Sequence, residues 1–167
     1  MPDYHIRKVK EGDRNAVVDI FNHFIENSFA AYPDKSIGYE FFDILKGMSR
    51  GGVFYVIEDN DRKVIGFGLL RQHQHTEAFK QSAELTYFIL PEHNRRGTGT
   101  RLLGILEDEA GKMGVKTLLA NISSLNEQSL NFHRKNGFRE CGRFGRVGRK
   151  LGRDFDVVWM QKFISDT

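Results

Sequence analysis

The sequence predicts a single domain of the mixed α/β (α+β) class, a mixed sheet with helices on its faces. Three observations carry this. The 167 residues, 40% apolar and 28% charged, suit one compact globular unit. Apolar runs of strand length are interspersed with stripes at helical spacing. Their order, strands first and then strand–helix–strand, is that of a mixed sheet covered by helices.

The elements follow in chain order. "YHIRKVK" alternates and reads as a strand. Asp13 is expected to cap a helix whose apolar positions Val17, Ile20, Phe21, Phe24 and Ile25 recur at helical spacing. "NSFAAYPDKSIG" reads as a loop and "YEFFDILKGM" as a short helix. "GVFYVIE" and "KVIGFGLLR", joined by the polar turn "DNDR", predict a hairpin. The loop "QHQHTEAFKQ" leads into the strand "AELTYFIL", which Pro91 ends. Leu102, Leu103, Leu106 and Ala110 stripe a helix from about Thr98 to Met113. "VKTLLANI" is a strand, and "NEQSLNFHRKNG" is a short helix that Gly137 ends at a C-cap position. "FRECGRFG" and "FDVVWMQKF" close the chain as strands.

Composition narrows the function classes. A net charge of +3 suits an anionic ligand without demanding nucleic acid. One cysteine, Cys141, leaves no intrachain disulfide. The start "MPDYHIRKVKEGD" lacks an apolar signal region, and no stretch reaches the length of a membrane span. No repeat or linker divides residues 1–167. The expectation is a soluble cytoplasmic protein that engages no membrane.

The turn "HNRRGTGT" between an apolar strand and a helix is the first chemical signal. Unpaired amides at a helix start, with the helix dipole behind them, bind anions. Gly97 and Gly99 allow close approach, Arg95 and Arg96 add charge, and Thr100 offers a hydroxyl. Taken alone, the turn reads equally as a strand-to-helix connection with solvated arginines. Two other phosphate motifs fail. The dinucleotide fingerprint needs a third glycine where Leu102 stands, and no Gly-Lys-Ser/Thr ending forms a P-loop.

Asn94-Arg95-Arg96-Gly97-Thr98-Gly99 resembles the Q/R-x-x-G-x-G/A coenzyme A loop of the GNAT acetyltransferases. "AELTYFILPEH" resembles the strand before that loop, and "SLNEQSLNFHRKNGF" the later segment that lines the coenzyme. "GRFGRVGRKLGRDFDVVWMQK" resembles the G-x-K-x-G-x-x-x-D ending of the phosphinothricin and methionine sulfoximine acetyltransferase branch, with Lys150, Gly152 and Asp156 at the shared positions. "FNHFIENS" also resembles that branch, so the resemblance covers nearly the whole chain.

The resemblance implies acetyl transfer from acetyl-CoA to an amine, with coenzyme A as product. It implies the GNAT fold, a curved, mostly antiparallel sheet whose central parallel strands, here 84–90 and 116–122, splay apart. The main chain of Phe88, Ile89 and Leu90 would meet the pantetheine arm. The loop Asn94, Arg95, Arg96, Gly97, Thr98, Gly99 and Thr100 would hold the pyrophosphate. Asn126, Ser129 and His133 would line the coenzyme, and their spacing puts them on one helix face. A homodimer is implied as well.

Amine acetylation needs a base to free the amine, a donor for the developing oxyanion, and a proton for the leaving thiolate. Glu84 resembles the base of this branch. On its own it reads equally as a solvated edge-strand carboxylate or one paired with an arginine. His133 is the candidate proton donor. Asn94 replaces the family's Gln or Arg, which matters little where amides do the holding. Tyr32-Pro33 replaces a Phe-Arg pair beside the family's substrate. Substrate contacts are therefore sought at Tyr32, Arg71, His73, Glu84, Thr86 and Lys150.

No metal is expected. His73 and His75 make an H-x-H in a loop without a third ligand at a convincing spacing. The arginines at 139, 143, 146, 149 and 153 carry no RNA-binding signature. Cys141 reads as a structural thiol. The expected reaction is direct transfer to the α-amino group of a small amino acid or analogue, with a small-molecule amine as partner and no nucleic acid. The alternatives are a protein N-terminal or polyamine acetyltransferase, and a non-catalytic basic RNA- or ligand-binding module on the same fold.

Overall fold

The computed structural model describes residues 3–94 and 96–165. Its elements are β1 (His5–Lys8), α1 (Arg14–Asn27), α2 (Phe41–Met48), β2 (Ser49–Glu58), β3 (Val64–Gln72), β4 (Ser82–Ile89), α3 (Thr98–Lys112), β5 (Thr117–Ser123), α4 (Glu127–Lys135), β6 (Arg139–Lys150) and β7 (Arg153–Phe163). The described strands form one seven-stranded sheet in the order β1-β2-β3-β4-β5-β7-β6. The predicted class and element order hold, and the sheet is mostly antiparallel.

Hydrophobic alternation sorts the side chains onto two cores. Val17, Phe21, Phe42, Phe54, Phe67 and Leu69 pack α1 and α2 against one face. Leu102, Leu106, Leu118, Ile122, Leu130 and Met160 pack α3 and α4 against the other. The second helix layer lies close because Gly68 has no side chain. A Cβ there would stand 2.8 Å from Leu102.

The β2–β3 turn works as its sequence suggests. The Asp59 carboxylate accepts the amides of Asp61 and Lys63, both at 3.0 Å, and Arg62 takes a φ of 64°. Asp13 departs from expectation. It stands at the cap position of α1, but its side chain makes no cap bond. It turns back to accept the Lys10 amide at 2.7 Å and the Arg7 guanidinium at 2.8 and 2.9 Å. Arg7 also holds buried Glu58 through Nε at 2.7 Å. A buried charge needs a partner more than a helix needs a cap. β6 is longer than predicted, because the arginine-rich stretch 146–150 continues the hairpin with β7.

Bulges interrupt the β2–β3 and β6–β7 ladders, but the gap that makes the site lies between β4 and β5. β4 and β5, the parallel pair among the described strands, join over Ser82↔Thr117, Ala83↔Leu118 and Glu84↔Leu119. Beyond these no described ladder pair links them, although β3 follows β4 to Ile89 and β7 follows β5 to Ser123.

Replacing Arg7 by methionine leaves two buried carboxylates unpaired. Urea unfolding is expected to show a loss of about 3 kcal/mol at pH 7. The loss should be smaller at pH 3: against the upward pull of burial, Arg7 and the Lys10 amide hold the Asp13 carboxyl below its ordinary range, and acid removes the advantage of that charged pairing. A pH-independent loss would assign the effect to packing of the Arg7 stem.

Candidate active site

The parted strands open into a cavity of about 1480 Å³. Three walls meet there. The segment Ser28–Pro33 after α1 forms one, with Phe21 and Phe24 behind it. The parted halves of β4 and β5 form the second, and the start of α3 with one side of α4 forms the third.

At the anion end, Gly97 caps α3 from just before its first residue, with a left-handed φ of 76° and no side-chain cap bond. Asn94, Gly97, Gly99 and Thr100 line the cavity there. A Cβ on Gly99 would lie 3.2 Å from the Phe132 ring, so the glycine lets α3 and α4 approach. Arg95 lies outside the described residues. Arg96 lines a separate small hollow with Tyr4 and Asp59, and Thr98 is buried with its hydroxyl unpartnered among the described residues. Phe88 and Ile89 line the cavity, whereas the Leu90 amide is bound to the Ile65 carbonyl at 2.9 Å. These amides, left-handed turn and unpaired strand edges suit the pyrophosphate and amide-bearing arm of coenzyme A.

Glu84 sits where the strands part. It is 8% exposed, and both carboxylate oxygens are engaged. Arg71, its cross-strand partner, donates from Nη2 at 2.6 Å, and His73 Nδ1 lies 2.7 Å away. Arg71, Glu84 and Thr86 line the cavity together with Tyr32. His73, also expected there, reaches it only through Glu84, since its ring rests against Phe79 and Trp159.

His133 lies on the opposite face of β4. The sequence places it on the coenzyme-lining face of α4 with Asn126 and Ser129, and all three border the cavity. Asn126 spends its side-chain oxygen capping Ser129 at 3.2 Å. His133 is 3% exposed, and its Nδ1 lies 2.7 Å from the Ser129 carbonyl, an acceptor, so Nδ1 carries the proton. Nε2 then accepts from the Tyr87 hydroxyl, against which the imidazole stacks. A ring with both nitrogens engaged offers no N–H to a leaving group, which corrects the expected donor role. Burial lowers its pKa to about 4, against a smaller upward pull from the Ser129 bond. Burial also raises the Tyr87 phenol. Tyr87 and Asn121 are cavity residues that the sequence reading missed.

Lys150, expected at the substrate, is absent from the cavity lining. Its ammonium donates to the Ser28 and Ala31 carbonyls at 2.7 and 2.6 Å. Among the described residues no group of three or more candidate ligands could hold a metal.

Residues 17–138, more than half of the chain, match the acetyltransferase (GNAT) family. The chain belongs to that family. A curated relative, the L-methionine sulfoximine/L-methionine sulfone acetyltransferase of Salmonella typhimurium, is 27% identical over 93% of this chain and 92% of its own. The crystal structure of a ribosomal-protein-alanine N-acetyltransferase from Brucella melitensis superposes with a TM-score of 0.86 at 32% identity, covering 95% of this chain and 99% of that one. YncA from Salmonella typhimurium, solved with its cofactor acetyl-CoA, gives 0.86 at 26% identity over 98% and 95%. The cavity of this GNAT chain thus occurs in an acetyltransferase fold.

The buried imidazole has a consequence for stability. From pH 6.5, its ordinary value, down to about 4, the unfolded chain binds a proton that the folded chain refuses. Stability therefore falls with pH across that window, by up to roughly 1.4 kcal/mol per unit. In His133→Gln, urea unfolding at pH 7, 6 and 5 should show a shallower slope than wild type. Parallel slopes would mean that the ring is not held neutral.

Proposed function

We propose that this GNAT acetyltransferase acetylates the α-amino group of a small free amino acid or analogue, of the phosphinothricin or methionine sulfoximine kind, by direct transfer from acetyl-CoA. The observation that carries the reading is the Arg71–Glu84 ion pair at the point where β4 and β5 part. An amino acid is a zwitterion. Its ammonium complements Glu84, and its carboxylate complements Arg71, whose buried Nε–H has no partner among the described residues. The aromatic wall of Phe21, Phe24, Phe88 and Tyr32 suits an apolar or compact side chain.

Acetyl-CoA supplies an activated acetyl thioester. Amides at the start of α3 hold its pyrophosphate, and the free main chain of β4 holds its arm. Glu84 accepts the proton of the substrate ammonium on a remaining lone pair, while Arg71 and the His73 Nδ1–H, both donating to it, hold the carboxylate in place. On the other face of β4, the neutral His133 acts through Tyr87, fixing a hydroxyl at the cavity wall. A cytoplasmic location and a homodimer belong to this reading. The exposed edge strand β6, with Phe144 and Val147 in solvent, is a surface a second copy would cover.

One observation favours a second reading, the terminal amine of a protein as acceptor: the similarity to the Brucella ribosomal-protein-alanine enzyme. A thiol-release assay with free amino acids, methionine sulfoximine, phosphinothricin and an alanine-initiated tripeptide separates the two. Turnover of free amino acids is expected, and turnover of the tripeptide alone would favour the second. Glu84→Gln is expected to lower kcat about 100-fold or more while the KM for acetyl-CoA holds within about twofold. Full activity in that variant would rule Glu84 out as the base. Arg71→Met should raise the acceptor KM, and an unchanged value would free Arg71 of the carboxylate.

A further inference from the structure

The chain's ending, with Gly148, Lys150, Gly152 and Asp156, builds a device at the cavity's back wall. β6 returns as β7 through Leu151 and Gly152, at φ of 50° and 76°, a two-residue turn between the paired Lys150 and Arg153. Lys150 at the start of that turn points inward and is 6% exposed. Its ammonium crosses to the segment after α1 and donates to the Ser28 and Ala31 carbonyls. Nothing else donates to either carbonyl among the described residues. Burial lowers the Lys150 pKa, against a smaller opposite pull from Asp34. An ammonium kept in so dry a place is held by carbonyl geometry.

Phe155 completes the attachment. Its ring stacks on Tyr32 at 5.7 Å and 9°, and meets Phe29 at 6.3 Å. Gly148 makes room for it, since a Cβ there would sit 2.1 Å from the ring. Asp156 fixes the strand behind, accepting the Arg146 amide at 2.7 Å. Lys150 and Phe155 grip residues 28–32, and Gly148, Gly152 and Asp156 shape the hairpin that carries them. Those residues line the cavity, whereas Lys150 and Phe155 do not.

We propose that Lys150 is a positioning residue for acceptor specificity: it staples the wall Ser28–Tyr32 in place and never touches the substrate. The proposal rests on the reading above, in which this wall faces the amino acid. The β6–β7 hairpin then acts on acceptor recognition alone, because acetyl-CoA is held by β4, α3 and α4.

The test uses steady-state kinetics of the full chain with L-methionine sulfoximine and acetyl-CoA. Lys150→Met is expected to raise the acceptor KM about tenfold or more, with the KM for acetyl-CoA within about twofold of wild type. Phe155→Leu keeps the ammonium but loosens the Tyr32 stack, and should give the same split to a smaller degree. An unchanged acceptor KM, or an equal rise for acetyl-CoA, overturns the proposal. Should neither variant fold, amide shifts of Phe29–Tyr32 in the unmodified protein decide. They should move when L-methionine sulfoximine is added to the coenzyme A complex and stay put when coenzyme A alone is added. Shifts with coenzyme A alone, or with neither, overturn it. A wild type that turns over no free amino acid is a different result, and removes the acceptor reading itself.

Discussion

Everything at the site depends on a sheet that declines to close. A buried main-chain N–H or C=O without a partner costs free energy, so strands side by side normally zip together. β4 and β5 do so for three residue pairs and then stop. The halves beyond Glu84 and Leu119 are held apart by their outer neighbours, β3 on one side and β7 on the other. The groups facing the gap are left for a guest with amides and carbonyls of its own. The left-handed Gly97 turns the chain at the end of that gap so that the first amides of α3 bound it.

The two faces of β4 then carry opposite electrostatic characters, because neighbouring residues on a strand point opposite ways. Glu84 faces the α1 side and sits between the Arg71 guanidinium and the His73 imidazole, a polar cluster suited to a charged acceptor. Tyr87 faces the α4 side and pairs with an imidazole that burial keeps neutral. One strand thus presents a proton acceptor to one side and a fixed, uncharged hydroxyl to the other. Aromatic walls around both limit water, which strengthens each polar contact.

The fold was legible because its signals are local and repeated. Leu102, Leu106 and Ala110 recur at helical spacing, and "DNDR" marks its turn by chemistry alone. The glycine turn before α3 and the strand that carries Glu84 were legible too, through their place in a known order of motifs. What stayed hidden depends on long-range partners. Asp13 looked like a cap until Arg7 and Glu58 arrived from other strands. His133 looked like a donor on an open helix face until Tyr87, 46 residues away, took its free nitrogen. Lys150 looked like a substrate ligand, yet its carbonyl partners lie 119 and 122 residues back. Tyr87 and Asn121 went unnoticed because a polar group within an apolar strand shows its role only once the strand beside it moves away.

The central claim is that the unpaired edges of β4 and β5 are the coenzyme's berth. Amide hydrogen exchange with and without acetyl-CoA tests it most directly. The account expects slowed exchange within 85–89 and at 98–100, where free main chain and the α3 start gain partners. The solvated hairpin stretch 144–149 should exchange as before. Protection confined to that hairpin, or no change within 85–89, would contradict the account.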